Sequence, residues 1–348
     1  MSGVAPQKYL PYEYCRDIQE IIAGIDNTIS GDTVLVAGGA GFLGSWMCET
    51  LLRLNANVIC LDNLVSGKIE NIQHHLNYPN FTFLQHDITD PISLHAPIKH
   101  IFHFASRAGP LEFKKHPIEI LRSNTLGTLN LLDLARKHNA TMLFTSTSEI
   151  YGDAKEIPTP ETYYGHVNPV GPRSCYDEGK RCGEAMCMAY AVQYDVDVRI
   201  ARIFNTYGPR IRADGIYGRV IPRFITQALL GESITVFGDG SQTRSFCYLN
   251  DMLIGLFRLA TASDLRGEVV NLGGGTEITI LDLATAIITM TKSDSYIQFL
   301  PLPEDDPKRR RPDIQKAQKL LRWEPKVGLA RGLERTIHYF QQDHDEQN

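Results

Sequence analysis

Tyr176 and Lys180 are four residues apart in Tyr176-Asp177-Glu178-Gly179-Lys180, a spacing that puts a phenol and an ammonium on one face of a helix. An ammonium so placed favours the phenolate, and the pair reads as a proton-transfer unit of a redox site. A second group, Thr145-Ser146-Thr147-Ser148-Glu149, closes the apolar run Met142-Leu143-Phe144. Hydroxyls and a carboxylate at a strand end can face the same substrate as the phenol. The Tyr-x-x-x-Lys spacing also occurs at Tyr151 and Lys155, but that stretch runs into Pro158 and Pro160. A loop is expected there, in which the two side chains have no set facing relation. Thr147, Ser148, Glu149, Tyr176 and Lys180 are therefore the catalytic candidates.

These groups need a scaffold, and the chain supplies a regular one from Thr33 onward. Short β-branched runs (33–37, 58–61, 81–84, 101–104, 141–145 and 198–204) alternate with helical segments. That alternation implies parallel βαβ units and an α/β, doubly wound Rossmann sheet. After Pro209 the texture changes to loops, short helices and short strands at 234–237, 269–272 and 297–300, broken by Pro and Gly. The expected division is a dinucleotide domain over 31–208, a smaller α/β substrate-binding domain over 209–340 with part of 238–262 packed back on the first, and a polar tail over 341–348. Residues 1–30 form an extension in which Ile18, Ile21, Ile22 and Ile25 recur at helical spacing. Docking of that short helix on the main body is expected.

The first βαβ unit carries Gly38-Gly39-Ala40-Gly41-Phe42-Leu43-Gly44 between an apolar strand and a helix expected over 45–54. Such glycines let the backbone approach a pyrophosphate at a helix N-terminus. The next strand ends in Asp62-Asn63, at the interval expected for an acid that binds ribose hydroxyls and repels a 2′-phosphate, which favours NAD over NADP. Gly38, Gly41, Phe42, Leu43, Gly44, Asp62 and Asn63 are the cofactor candidates, joined by Asp87 and Ile88 at the end of the third strand. A glycine-rich turn used only for packing is the competing reading.

Composition narrows the function class. The 348 residues are 43% hydrophobic and 22% charged with a net charge of -5, which argues against nucleic acid as the main partner. Seven cysteines without a C-x-x-C pair suggest neither a disulfide framework nor structural zinc. With no H-x-x-x-H pattern, no metal is expected, and His103 on the fourth strand reads as structural. The first thirty residues lack an apolar signal-peptide core, and no run approaches a membrane span. A cytoplasmic location is expected.

The glycine-rich turn with Asp62, the strand-end Thr147 and the Tyr176/Lys180 helix resemble the extended short-chain dehydrogenase/reductase family of nucleotide-sugar enzymes. Within that family the stretch 164–181, Arg202-Ile203-Phe204-Asn205-Thr206-Tyr207-Gly208-Pro209-Arg210, Gly240-Ser241-Gln242-Thr243-Arg244 and 305–313 most resemble the UDP-glucuronate decarboxylases. The likeness covers roughly 33–340. It implies that Tyr176 takes the proton from the sugar C4 hydroxyl during oxidation, with Lys180 lowering its pKa and Thr147 bonding the reacting oxygen. The C4 ketone then lies β to the uronate carboxylate, which leaves as carbon dioxide, and the ketone is reduced again.

The resemblance also assigns substrate contacts. Arg219 and Arg244 match positions around the diphosphate, Asn205 is a further donor there or the cap of a turn, Phe237 matches a nucleobase-stacking aromatic with a core phenylalanine as the competing reading, and Arg310 reaches the sugar or diphosphate end, the bland reading of 308–311 being a solvated basic run. Glu149 is placed near C5. Related 4,6-dehydratases carry an aspartic acid where this chain has Ser148, and simple 4-epimerases commonly have a small or hydroxyl residue at the Glu149 position. One departure is Ala105-Ser106-Arg107-Ala108-Gly109-Pro110, where family decarboxylases carry a Ser-Pro-rich segment; its Ala-Gly pair resembles the uronate 4-epimerases and places Arg107 toward the substrate carboxylate. A non-catalytic NAD-sensing module is expected to lack the Tyr and Lys pair. The helical stretches 118–137 and 176–190 match those that pair in the family's homodimer.

Overall fold

The computed structural model describes residues 12–213, 218–303 and 306–347. A seven-stranded parallel sheet organises it. Its first six strands in chain order are β1 (Thr33–Ala37), β2 (Asn57–Asp62), β3 (Phe81–Gln85), β4 (His100–His103), β5 (Thr141–Thr147) and β6 (Val198–Ile203). The spatial order runs from strand Val269–Leu272 through β6, β5, β4, β1 and β2 to β3. The order reverses between β1 and β4, the switch point where such sheets bind ligands at their carboxyl edge.

Central strands of this kind are covered by helices on both faces and read as continuous apolar runs. Val34, Leu35, Val36 and Ala37 of β1 are completely buried, as are Met142 and Phe144 of β5. The expected strands all occur, mostly with bounds shifted by a residue or two. Strand Val269–Leu272 pairs in parallel with β6 and helix Leu249–Thr261 packs against β5 and β6, so both belong to the large sheet's layer. Local pattern identifies the strand, but only tertiary pairing decides which sheet it joins.

Two helices near the N-terminus, α1 (Tyr12–Ala23) and α2 (Phe42–Arg53), contact one another, and α1 also packs on helix Leu249–Thr261. Ile18 and Ile21 are buried in the main core, so the extension docks as expected. The helical stretch expected over 118–137 is two helices, Pro117–Asn124 and Leu126–His138, broken at Thr125 with φ -109° and ψ -75°. No described helix is long and apolar enough to cross a membrane.

Candidate active site

Two adjoining cavities lie over the carboxyl edge of the sheet. Gly38, Gly41, Phe42, Leu43, Gly44, Asp62, Asn63 and Ile88 all line the first. Asp87 stands just behind them, accepting from Asn63 Nδ2 at 2.8 Å and from the Thr89 amide and hydroxyl. Gly38 has a φ of +80°, and a Cβ on Gly44 would fall 2.0 Å from the Gly38 carbonyl oxygen. The turn therefore closes only with glycine at both places. No side chain caps α2 at Gly41, so its first amides are left for a ligand in the cavity. Asp62 Oδ2 accepts from the Ala40 amide at 3.0 Å and Oδ1 from Leu64 at 2.8 Å, which holds the carboxylate beside the turn. This cradle fits a dinucleotide.

The second cavity is lined by Thr147, Ser148, Glu149, Asn205, Phe237, Arg244 and Arg310, so the structure gathers these expected site residues around one space. Tyr176 and Arg219 border both cavities. Tyr176 stacks on Phe113, with centroids 5.0 Å apart and 18° between planes, and Thr147 hydrogen-bonds its phenol. A group that faces both spaces can exchange a proton with a substrate in one while a redox cofactor fills the other.

Lys180 lines the first cavity with Tyr176, its Nζ donating to the Thr145 carbonyl at 2.8 Å and lying 4.8 Å from the Phe144 ring centre. Burial pulls Lys180 down to about 7 and pushes Tyr176 up to about 12, while Thr147 and Arg219 pull the phenol the other way. Both groups are desolvated, and desolvation penalises whichever form is charged.

Glu149 is tied down from two sides. Arg310 bonds it through Nη1 to Oε1 at 2.5 Å and Nη2 to Oε2 at 2.8 Å, and Arg173 makes a very short contact to Oε2. Burial works against the charge, but the two guanidiniums outweigh it and bring the carboxyl to about 2. Asp177, buried beside this group, is pushed up to about 7 by burial and by Glu149 despite Arg173. Arg310 is therefore already engaged by a carboxylate of the protein. Asp177 faces the same guanidiniums, so the pair presents a positive excess to an anionic substrate only where Asp177 is protonated.

Other candidates find different partners. Arg107 pairs with Glu112 at 3.0 Å and lines the first cavity, not the second, so the structure does not bring it to the Glu149 side. Arg244 pairs with Asp306 at 3.0 Å, Arg219 donates to the Ala108 carbonyl at 3.3 Å, and Asn205 donates to Ser245 at 3.5 Å. The Arg223 guanidinium sits 4.9 Å from the Phe237 ring centre, so one face of that ring is taken by a cation. Tyr151 is buried and bonded to Asn271 and Arg202, and Lys155 is exposed, which makes the first Tyr-x-x-x-Lys spacing structural. His103 is buried against Thr128 and serves packing.

Arg173, Phe113, Asp177 and Asp306 complete the site without being singled out by their types. Arg173 carries a recoverable signal: it precedes Tyr176 and stands four residues before Asp177, a helical spacing at which the two meet at 3.9 Å.

Residues 34–273 match the model of the NAD dependent epimerase/dehydratase family. The chain is 48% identical over 314 residues to UDP-glucuronic acid decarboxylase 1 of Danio rerio, covering 90% of this chain and 74% of that one. It is also 48% identical over 312 residues to UDP-glucuronic acid decarboxylase 4 of Arabidopsis thaliana, covering 89% and 68%. Among solved structures, a UDP-glucuronic acid 4-epimerase from Bacillus cereus in complex with UDP-glucuronic acid and NAD superposes with a TM-score of 0.80 at 30% identity, over 89% of this chain and 99% of that one. With a glycine cradle, a phenol on the wall between two cavities and relatives of this identity over most of its length, the chain belongs to the NAD dependent epimerase/dehydratase family.

Proposed function

We propose that this protein is an NAD-dependent UDP-glucuronate decarboxylase that forms UDP-xylose. The observation that carries the reading is the Thr147-Ser148-Glu149 edge beside Tyr176, with Glu149 held by Arg173 and Arg310. The near-half identity to two UDP-glucuronic acid decarboxylases over about nine-tenths of the chain supports it. NAD, held by the glycine cradle, Asp62 and Asn63, supplies a hydride acceptor and a positive charge when bound.

In this reading Tyr176 takes the C4 hydroxyl proton, Thr147 bonds the reacting oxygen, and Lys180 holds the strand-end carbonyl of Thr145 in place. Oxidation at C4 puts a carbonyl β to the uronate carboxylate. The C–C bond electrons then pass into that carbonyl as carbon dioxide leaves, C5 takes up a proton, and return of the hydride to C4 with the proton held by Tyr176 gives UDP-xylose with no net redox change. Glu149, ionised at neutral pH, positions the ring, and the guanidiniums of Arg173 and Arg310 face the uronate. Ser148 cannot protonate a departing C6 hydroxyl, which disfavours dehydration. Asn205, Arg219, Arg244 and Phe237 take the nucleotide end.

The same reading divides the chain near residue 208 into cofactor and nucleotide-sugar regions. It also includes a homodimer, since Ile118, Leu121, Met188 and Val192 leave exposed apolar surface on helices Pro117–Asn124 and Ser174–Tyr194, which pack together. The free thiols among the described cysteines accord with a reducing cytoplasm.

A uronate 4-epimerase is the second reading, carried by Arg107-Ala108-Gly109 and by the Bacillus cereus structure. Incubation with UDP-glucuronate and NAD, read by mass spectrometry, separates the two. A product lighter by carbon dioxide is expected; an isomer of unchanged mass would establish the epimerase instead.

A further inference from the structure

Away from both cavities, one buried cluster offers ligating atoms that have no hydrogen-bond partner among the described residues. Glu49 of α2 and the adjacent His74 and His75 bring a carboxylate oxygen and two imidazole nitrogens within 4.8 Å of one another. Glu49 is 1% exposed and His75 2%. Glu49 Oε1, His74 Nε2 and both ring nitrogens of His75 are buried with no hydrogen-bond partner. Buried polar atoms are nearly always paired, so several orphans around one space point to a missing ligand.

The surroundings say what kind. Arg210 binds Glu49 through Oε2 at 2.6 Å and leaves Oε1 open; His74 Nε2 stands 3.8 Å from Oε2, beyond hydrogen-bond range. Imidazole nitrogens and a carboxylate oxygen are donors of the kind that ligate a cation. A single carboxylate among the three ligands does not suit a hard ion, which needs several oxygen ligands. Two imidazoles and one carboxylate suit an ion of the zinc class, whose ligand atoms stand about 3.3 Å apart in tetrahedral geometry, so the three need draw together by only an ångström or so.

We propose that Glu49, His74 and His75 form a binding site for one divalent ion of the zinc class. Arg210, on the second carboxylate oxygen, orients the ligand in the way outer partners of metal sites do. The ion fastens the segment around 69–76 to α2. Asn71 of that segment donates to the Ala40 carbonyl at 2.9 Å and lines the cofactor cavity, so the site braces the glycine turn from behind. No spacing rule reveals it, because one ligand lies about 25 positions from the other two and those two are adjacent.

The test uses the full chain, stripped with a chelator and titrated with Zn²⁺ by calorimetry and with Co²⁺ by absorption. One ion per chain is expected, with a raised melting temperature. His75→Phe, which keeps an aromatic ring in the pocket, and His74→Ala should each weaken binding by more than the roughly 10- to 100-fold that even an outer partner is worth. Absence of saturable binding, which would leave the site to water, overturns the proposal, as does equal binding by both variants. X-ray absorption of the zinc-loaded native chain needs no variant: nitrogen and oxygen neighbours with imidazole scattering are expected, and sulfur neighbours, placing the ion on cysteines, defeat it.

Discussion

Glu149 and Arg310 lie 161 residues apart in the chain and meet through two hydrogen bonds of 2.5 Å and 2.8 Å. This pair ties the strand-end edge of the Rossmann sheet to the short strand Arg309–Arg310, and both residues line the substrate cavity. A carboxylate so placed cannot be replaced without freeing two buried guanidiniums.

Glu149→Gln keeps the shape and removes the charge. Turnover of UDP-glucuronate should fall by about 100-fold or more, the scale of a lost positioned ionisable group. NAD binding, measured by fluorescence titration, should change little because Glu149 lines the other cavity. A large loss of NAD affinity would mean the two cavities are coupled through this edge.

The same substitution has a pH signature. The Arg173 and Arg310 guanidiniums hold the Glu149 carboxyl at about 2 in the folded chain against an ordinary 4.5, so its ion pairs stabilise fully above the unfolded value and are lost as pH falls from about 4.5 toward 2. The melting temperature of Glu149→Gln should therefore lie below that of the native chain at pH 6, and the gap should narrow below pH 4.5. A gap independent of pH down to 3 would show that the charge adds nothing.

How much of this is readable without coordinates depends on range. The strands follow from local apolar runs, and the expected bounds of 234–237, 269–272 and 297–300 coincide with the observed ones. The glycine cradle is equally local, since the φ of Gly38 and the packing of Gly44 act within seven residues. Long-range choices are different. Nothing near Arg173 says that it will share Glu149 with Arg310, and nothing near Arg107 says that Glu112 will claim it. Lys180 shows the limit of spacing alone: the helix forms and the face is right, but that the ammonium also meets the Thr145 carbonyl on β5 is decided by tertiary packing.

Tyr176→Phe isolates the phenol. The ring keeps its stack on Phe113, so the fold should lose only about 1 kcal/mol with the Thr147 hydrogen bond. Turnover should drop by about 10²- to 10⁴-fold, the range for a general base. Stopped-flow detection of NADH on mixing with substrate is the decisive readout; normal NADH formation in the variant would remove Tyr176 from the oxidation step.

Gly44→Ala tests the cradle. Its Cβ would meet backbone at 2.0 Å, and backbone cannot rotate away as a flexible side chain can. A loss of NAD affinity of about tenfold or more is expected, together with a lower melting temperature. Gly275→Ala is the control, because an added Cβ there meets nothing within 4 Å. Similar behaviour of the two variants would refute the steric account.

The N-terminal helix is held by charge as well as by Ile18 and Ile21. Arg335 contacts Asp17 closely and Glu20 at 2.8 Å through both terminal nitrogens, while Tyr248 and Asn250 donate to Asp17 at 2.8 Å and 2.9 Å. The Asp17 side chain is only 1% exposed and that of Arg335 7%. Arg335→Ala therefore strands a buried carboxylate, which costs about 3–5 kcal/mol when one partner of such a pair is removed. Asp17→Asn in the same chain takes away the stranded charge, keeps one acceptor oxygen for Asn250 and turns an amide N–H toward the Tyr248 hydroxyl oxygen, which can accept it. The double variant should recover a good part of the loss in urea unfolding at pH 7. If it is no more stable than Arg335→Ala alone, the penalty comes from lost packing of the arginine stem, and the extension is held by its isoleucines.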